Sequence, residues 1–433
     1  MDETIVGIIV LFVLLGVFLT GFEMAFAMGL VGFVGYAMLV SFAGAADIVG
    51  KVFFESLSSY GLTVIPLFIL MGQVAFNAGI AKGLYDSANK FMGHVPGGLA
   101  IATVAGASAF KAICGSVAAT VATFASVAVP EMDRYGYSKK LSTGVVAIVG
   151  TLGGLIPPSV ILIILGLVTQ QSIGKLFLAG LIPGLIMAVF FVGIIIVWCR
   201  INPSLGPKSE KYPMKEKINS LYAVIWPIVI FFVIIGGFMV GLFTPTEAGS
   251  IGAFAVIVFT LLKRDLNFEK FKKSLAESLR TSCMVLMLVA GSAMLGACII
   301  VTNIPILAAD WAAHLPLHRH LIMILICLIY LIGGSFIDDL AFMILATPIF
   351  FPAIIKLGYD PMWAAIMISV TVMIGGVIPP VAMCVFIVKN ITKVPIGTIY
   401  SGVYPFLIAL FLIAALLFIF PQIATFLPNL FMK

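Results

Sequence analysis

Long apolar segments separated by short polar connections run through the whole chain. The segments at 5–19, 24–42, 63–80, 176–199 and 221–243 are typical, since each is continuously apolar instead of alternating. About 20 such residues form a helix that crosses a bilayer, whereas a transmembrane β-barrel would show shorter, alternating segments. Hydrophobic residues make up 62% of the chain and charged residues only 10%, which excludes an ordinary soluble domain. The pattern predicts an all-α polytopic membrane protein.

Four apolar segments depart from this simple pattern. Segment 97–129 is crowded with Ala, Gly, Ser and Thr and has charged residues at both flanks. We interpret it as a re-entrant helical hairpin that enters and leaves from the cytoplasmic side, with a single long span as the alternative. Segment 321–352 is predicted to be a second hairpin, which enters from outside. Segments 141–168 and 362–388 are each predicted to be a helix that breaks near its middle.

Each broken segment contains two glycines followed by two prolines. Proline has no amide hydrogen and its ring clashes with the preceding turn, so the helical hydrogen bonds cannot continue there. Unwound backbone persists at membrane depth only where it is buried in protein or lines a cavity. The residues concerned are Gly153, Gly154, Pro157 and Pro158 in the first segment and Gly375, Gly376, Pro379 and Pro380 in the second.

The spacing between the two breaks predicts an internal repeat. Pro379 lies 222 positions after Pro157. The same offset relates Pro130 to Pro352, Gly136 to Gly358, Tyr137 to Tyr359, Gly180 to Gly402, and Pro183 to Pro405. Two interrupted segments at matching positions of two halves are the best sequence indication of a transporter's binding site.

The distribution of charge suggests how the halves are arranged. The net charge of +6 is carried mostly by short connections, which is typical of membrane orientation by positive loops and not of nucleic-acid binding. Residues 1–199 and 218–433 are predicted to be the two repeats, joined by a cytoplasmic linker at 200–217. Segment 263–280 is expected to be an amphipathic helix on the cytoplasmic surface, and 44–60 an outward-facing loop. Five spans in each half make the halves inverted, with ten spans, two hairpins and both termini in the periplasm.

The helix ends at the two breaks provide backbone groups that could bind an ion or a substrate. A helix that stops leaves free carbonyls, which suit a hard cation such as Na⁺, and a helix that starts leaves free N–H groups, which suit an anion. Ser116, Thr120 and Ser159 place hydroxyl groups close to these ends. Ser159 is favoured as a functional residue, whereas Thr120 could equally satisfy a helix end or allow close packing.

Three charged residues at the hairpin tips extend this candidate site. An ionised carboxylate at the centre of a bilayer costs about 3 kcal/mol on insertion scales, so Asp338 and Asp339 need a partner or a cavity. Cation coordination or a substrate contact, most plausibly through Asp338, is the prediction. Lys111 at the other tip could receive a carboxylate, or it could pair structurally.

Enzymatic chemistry finds no support in the sequence. It contains no HExxH or GxSxG motif, and its six cysteines occur singly in apolar surroundings. We therefore predict that the chain is not an enzyme and uses no cofactor apart from a coupling ion.

Several motifs, taken together and in this order, closely resemble those of one known family. They are Gly115-Ser116 with Ala119-Thr120, Pro130 with Gly136-Tyr137, Gly150 with Gly153-Gly154-Leu155-Ile156-Pro157-Pro158-Ser159, Ser172-Ile173-Gly174 with Phe177, Ala179-Gly180, Pro183-Gly184, Thr244-Pro245-Thr246-Glu247-Ala248, Gly334 with Asp338, and Gly375 with Pro379-Pro380. The chain resembles the large membrane subunit, or large permease, of the tripartite ATP-independent periplasmic (TRAP) transporters. Leu165 stands where the family often has Tyr, and Asp339 where Asn is common.

This resemblance implies an elevator-type importer in the bacterial inner membrane, driven by Na⁺ at two or more sites. It implies a periplasmic substrate-binding protein, a small membrane subunit that is expected to be a separate chain, and an organic acid substrate of the C4-dicarboxylate or sialic acid class. A stand-alone Na⁺/dicarboxylate symporter of related fold is the alternative, and an intramembrane enzyme is a remote one.

The resemblance also assigns residues to sites. The first Na⁺ site would comprise Gly115, Ser116, Gly153, Gly154 and Pro157. The second would comprise Gly334, Asp338, Gly375, Gly376 and Pro379. Substrate contacts are expected from Ser116, Ser159 and Asp338, with Thr120 and Lys111 as further candidates.

Overall fold

Helices supply all the regular secondary structure in the described part of the chain. The computed structural model describes residues 3–209, 211–307, 310 and 317–432, and no strand occurs among them. Within these residues, eight helices are long and apolar enough to cross a membrane by length and composition. They confirm the predicted class, an all-α polytopic membrane protein.

The first half of the chain forms ten α-helices. They are α1 (Glu3–Leu19), α2 (Met24–Leu39), α3 (Phe42–Ser58), α4 (Val64–Asn77), α5 (Ile80–Met92), α6 (Gly98–Lys111), α7 (Val117–Arg134), α8 (Lys139–Val149), α9 (Val160–Val168) and α10 (Ile173–Ile201). Short 3₁₀ turns at Tyr60–Thr63, Gly150–Gly154 and Pro203–Leu205 connect some of them.

The described residues of the second half form ten further helices. They are α11 (Met214–Ser220), α12 (Tyr222–Met239), α13 (Pro245–Leu262), α14 (Phe268–Val301), α15 (Arg319–Phe336), α16 (Asp339–Lys356), α17 (Pro361–Gly375), α18 (Met383–Thr392), α19 (Ile396–Ile419) and α20 (Gln422–Phe431).

Burial separates a central layer from an outer one. Every residue from 141 to 166 is buried, and so is every residue from 363 to 377. In contrast, the outer helices expose large apolar side chains such as Phe12, Phe254 and Leu262. A soluble protein could not expose so much apolar surface, but lipid is an appropriate solvent for it. The first interruption and the helix that leads into the second therefore lie inside the protein.

Capping explains the start of α13. The hydroxyl group of Thr244 accepts a hydrogen bond from the Glu247 N–H, and the Glu247 carboxylate accepts one from the Thr244 N–H. This reciprocal pair is a capping box. Glu247 therefore has a structural role at the start of this helix.

Segment 44–60, expected to be a loop, is instead mostly helical. Ser41 caps α3 by accepting a hydrogen bond from the Gly44 N–H. Asp47, Lys51 and Glu55 follow at intervals of four residues, so they share one exposed face of the helix. The polar residues that suggested a loop are the polar side of an amphipathic helix.

The surface helix expected at 263–280 is not separate from the span that follows it. Helix α14 continues without interruption from Phe268 to Val301, and Asn267 caps its start. No glycine or proline occurs between Phe268 and Gly291, so nothing in the sequence ends the helix at the membrane surface. Its charged first turns and its apolar remainder therefore form one continuous helix.

Candidate functional site

The tip of the first hairpin is a five-residue turn between α6 and α7. Ser116 caps α7, since its hydroxyl oxygen accepts a hydrogen bond from the Ala119 N–H at 3.2 Å. The Ser116 carbonyl oxygen accepts from Lys111 Nζ at 2.8 Å and from Thr120 Oγ1 at 3.0 Å. Thr120 thus bonds inside the tip, and with its N–H at 3.3 Å the Ser116 carbonyl is engaged by three donors.

The first break lies directly against this tip. Ser159 caps α9, and its hydroxyl group donates a hydrogen bond of 2.7 Å to the Gly153 carbonyl across the break. The Val160 N–H points to the Gly115 carbonyl at 3.5 Å, which joins the break to the hairpin. Pro157 is buried, and the Pro157–Pro158 peptide bond is cis. Ser159 is fully buried, so its hydroxyl holds the break together from within.

Lys111 lies behind the tip and not on the cavity. Its side chain is fully buried, and a methyl group on Gly153 would lie only 2.2 Å from Lys111 Nζ. The ammonium group therefore fills the space where the turn, the end of α6 and the first break meet. No carboxylate oxygen of the described residues lies within 4.0 Å of it.

The tip of the second hairpin is a tighter turn between α15 and α16. Asp338 caps α16, because its Oδ1 accepts hydrogen bonds from the N–H groups of Leu340 at 3.1 Å and Ala341 at 3.3 Å. Gly334 packs against the second break, since a methyl group on Gly375 would lie 2.8 Å from the Gly334 carbonyl carbon. Residues with side chains could not approach so closely.

Asp339 differs from Asp338 in that one of its carboxylate oxygens is buried without a partner. It is 4% exposed, and its Oδ1 has no hydrogen-bond partner. A methyl group on Gly376 would lie 2.7 Å from that oxygen. The neighbouring Asp338 uses its carboxylate to cap the helix, so Asp339 is the acid that points into the second break. Such an unpartnered buried carboxylate is costly unless a cation or a proton compensates it.

The second break differs from the first in its exposure. Pro379 is half-buried, whereas Pro380 and Val381 are exposed. The Val381 N–H donates to the Ser335 carbonyl at 3.0 Å, which ties this break to its own hairpin. The Pro379–Pro380 peptide bond is cis as well. Only the first break is therefore fully enclosed, whereas the second reaches the surface.

A cavity of about 100 Å³ lies between the two hairpin tips. Ser116, Thr281, Asp338 and Asp339 are its polar lining residues, and Gly115, Val160 and Met383 contribute to its wall. The structure thus brings both tips and the starts of α7, α9, α16 and α18 to one place. Of the predicted substrate contacts, Ser116 and Asp338 line this cavity, whereas Ser159, Thr120 and Lys111 do not.

Ser369 links the two broken segments, and sequence reasoning did not identify it. Its hydroxyl group donates a hydrogen bond of 2.7 Å to the Gly154 carbonyl, and both residues are buried. A serine at mid-helix in an apolar segment was the available signal, because a buried hydroxyl needs a partner. Gly154 also packs closely on Met373, since a methyl group there would lie 2.5 Å from its Cγ.

Comparison with known proteins gives the family context. Residues 8–423 match the family model described as "Tripartite ATP-independent periplasmic transporter, DctM component". The chain is 33% identical over 377 residues to the C4-dicarboxylate TRAP transporter large permease protein DctM of Pseudomonas aeruginosa, covering 87% of this chain and 88% of that protein. It is 30% identical over 378 residues to the sialic acid TRAP transporter large permease protein SiaM of Vibrio cholerae, covering 87% and 88%.

One solved structure supports the fold alone. The YdaH transporter of Alcanivorax borkumensis aligns with a TM-score of 0.63, covering 89% of this chain and 90% of that chain. Its sequence identity is 13%, so the similarity extends to the architecture and not to the chemistry of the site.

Proposed function

Since the chain belongs to the DctM component family of the tripartite ATP-independent periplasmic transporters, we propose that it imports an organic acid by coupling to Na⁺. It is the large membrane subunit of such a transporter, and its relatives are transporters, not enzymes. The substrate is proposed to belong to the C4-dicarboxylate or sialic acid class, because relatives named for both kinds of acid match most of the chain.

The central cavity is the single observation that carries this proposal. The helices α7, α9 and α16 begin around it, capped by Ser116, Ser159 and Asp338. The start of a helix carries a partial positive charge, so three converging helix starts favour an anion once a cation compensates the lining carboxylates of Asp338 and Asp339. A carboxylate substrate fits that electrostatic environment.

The second break is the better candidate for a coupling Na⁺ in this chain. Asp339 presents an unpartnered oxygen there, and Gly376 allows the carboxylate to approach the unwound backbone. Oxygen ligands from carboxylates and free carbonyls suit a hard cation. Gly334, Asp338, Gly375 and Pro379, which the resemblance assigns to the second Na⁺ site, are proposed to complete it.

An elevator mechanism and an inverted repeat complete the proposed transport cycle. The two hairpins and the two broken segments would move together as a transport domain, carrying the cavity across the membrane against the outer helices. The matching breaks of 141–168 and 362–388 support two inverted repeats, at 1–199 and 218–433, with the linker 200–217 between them. Residues 214–217 of that linker already belong to α11.

Partners and orientation are proposed on the same basis. A periplasmic substrate-binding protein would deliver the acid, and a separate small membrane subunit would pack against the large one. The protein would lie in the bacterial inner membrane with both termini in the periplasm. The exposed apolar side chains of the outer helices support contacts with lipid or with such a subunit.

Reconstitution into liposomes tests the proposal directly. The full chain is inserted together with the small subunit and the binding protein from the same genome, and uptake of a labelled organic acid is measured with and without a Na⁺ gradient. We expect uptake only when both partners and the gradient are present.

Omitting or replacing one component at a time provides the controls for this assay. Full uptake by the chain alone would indicate a stand-alone symporter instead of a tripartite system. Uptake that persists when the Na⁺ gradient is replaced by a K⁺ gradient of equal size would contradict Na⁺ coupling.

A further inference from the structure

Lys111 carries a positive charge at the place where the first coupling Na⁺ is expected. It is fully buried, and its Nζ donates a hydrogen bond of 2.8 Å to the Ser116 carbonyl. The same nitrogen lies against Gly153, because a methyl group on that glycine would be 2.2 Å away. Ser116 and Gly153 are two of the residues to which the resemblance assigns the first Na⁺ site. Two of the five residues assigned to that site are therefore already in contact with a buried ammonium group.

We infer that the ammonium group of Lys111 takes the place of one Na⁺ at the first break, so that this chain binds its coupling ion only at the second. The inference rests on the Na⁺ coupling proposed above. A lysine ammonium is a compact monovalent cation with three hydrogen-bond donors, and carbonyl oxygens stabilise it as they stabilise Na⁺. The ammonium is tethered, so it is present in every state of the transport cycle.

The surroundings of Lys111 favour a cation in two ways. Lys111 is the last residue of α6, where the free carbonyls of the helix give a partial negative charge. The Ser116 carbonyl, which accepts from Nζ, also accepts from the Thr120 hydroxyl group and from the Thr120 N–H. A carbonyl has two lone pairs, so this oxygen has no capacity left for a Na⁺ ion.

The second break has the opposite charge pattern. No lysine or arginine of the described residues forms an ion pair with Asp339, and its Oδ1 is unpartnered and buried. The first break therefore contains a fixed cation, whereas the second contains a fixed anion that needs one. This asymmetry predicts fewer coupling ions than two intact sites would require.

Sodium titration of the purified full chain separates these possibilities. Thermal unfolding is followed as NaCl replaces KCl at constant ionic strength, in the wild type and in Lys111→Ala. We expect a Hill coefficient for Na⁺ of about one in the wild type and of about two in Lys111→Ala, since the coefficient is limited by the number of sites. Lys211→Ala is the matched control, because it removes the same group from an exposed position and should behave like the wild type.

A purely structural role for Lys111 would give a different result. Lys111→Ala would then unfold at a lower temperature with an unchanged dependence on Na⁺, and this would overturn the inference. A Hill coefficient of about two in the wild type, unchanged in Lys111→Ala, would also overturn it while leaving Na⁺ coupling intact. If Na⁺ stabilises only Lys111→Ala, the inference that Lys111 replaces one Na⁺ is supported. The proposal that the wild type is coupled to Na⁺ is then contradicted.

Hydrogen exchange of the wild type decides the question if Lys111→Ala does not fold. Addition of Na⁺ is expected to slow exchange at residues 375–382 and to leave residues 153–159 unchanged. Slower exchange at 153–159 on Na⁺ addition would contradict the inference without any variant.

Discussion

The hydroxyl group of Ser369 in α17 donates a hydrogen bond of 2.7 Å to the carbonyl oxygen of Gly154 in the first break. These two residues lie 215 positions apart in the sequence. The bond satisfies a carbonyl that the interrupted helix leaves free, and it connects the two broken segments at their most buried level. Through this bond, the second broken segment stabilises the unwound backbone of the first.

Loss of this bond should destabilise the protein. Ser369→Ala removes the donor and leaves the buried Gly154 carbonyl unpaired, which costs about 1–3 kcal/mol. We expect a lower melting temperature in detergent and reduced uptake. Thr371→Ala is the matched control, because the Thr371 hydroxyl bonds to the Met367 carbonyl and to Cys327 of α15, and not to the first break. An equal effect of both substitutions would show that the link to Gly154 has no special role.

The unpartnered carboxylate of Asp339 should determine the affinity for Na⁺. Asp339→Asn keeps the size of the side chain but removes its charge, so a cation at the second break loses its strongest ligand. We expect the Na⁺ concentration for half-maximal uptake to rise about tenfold or more, where tenfold corresponds to about 1.4 kcal/mol. Asp47→Asn makes the same change on the exposed face of α3 and should have no effect. An unchanged Na⁺ dependence of Asp339→Asn would exclude this residue as a ligand.

Asp338 should behave differently from its neighbour because it caps α16. Asp338→Ala removes the acceptor for the Leu340 and Ala341 N–H groups, and loss of such a cap costs about 1 kcal/mol. Asp338→Asn keeps an acceptor and should retain the melting temperature of the wild type. The comparison is made by thermal unfolding, and equal losses in both variants would argue that charge, and not capping, is the contribution of Asp338 to stability.

Gly376 should tolerate no side chain because the Asp339 carboxylate lies against it. In Gly376→Ala the new methyl group would lie 2.7 Å from Asp339 Oδ1, and overpacking of this kind costs about 1–3 kcal/mol. We expect impaired Na⁺-driven uptake together with reduced stability. Gly193→Ala in α10 is the control, since a methyl group there meets nothing within 4 Å. Normal Na⁺ dependence in Gly376→Ala would contradict the close approach of Asp339.

The sequence predicts those features that depend on local chemistry. The glycines and prolines at 153–158 and 375–380 cannot continue a helix, and the structure has no α-helix from 150 to 159 or from 376 to 382. The Thr244–Glu247 capping box is also predictable from local chemistry, because the four residues 244–247 alone determine it.

Features that depend on three-dimensional position were harder to predict. Asp338 and Asp339 are chemically identical neighbours, and the start of α16 decides which of them caps the helix and which points to Gly376. The direction of the Lys111 side chain depends on the shape of the turn at 112–116. The partner of Ser369 lies in the other half of the chain, so no local pattern reveals it.

A double-mutant cycle between Lys111 and Gly153 tests the geometry of the first break. Gly153→Ala places a methyl group 2.2 Å from Lys111 Nζ and 2.8 Å from its Cε. The ammonium is fully buried, so it can withdraw only by giving up the Ser116 carbonyl. We expect Gly153→Ala to lower the melting temperature clearly in the wild-type background and much less in Lys111→Ala, where Val117 Cγ2, at 3.1 Å, is the closest remaining atom to the new methyl group. Residues in direct contact typically show a coupling energy of about 0.5–3 kcal/mol in such a cycle. Strictly additive effects would mean that the ammonium does not occupy this position, and the replacement of the first Na⁺ by Lys111 would then have to be abandoned.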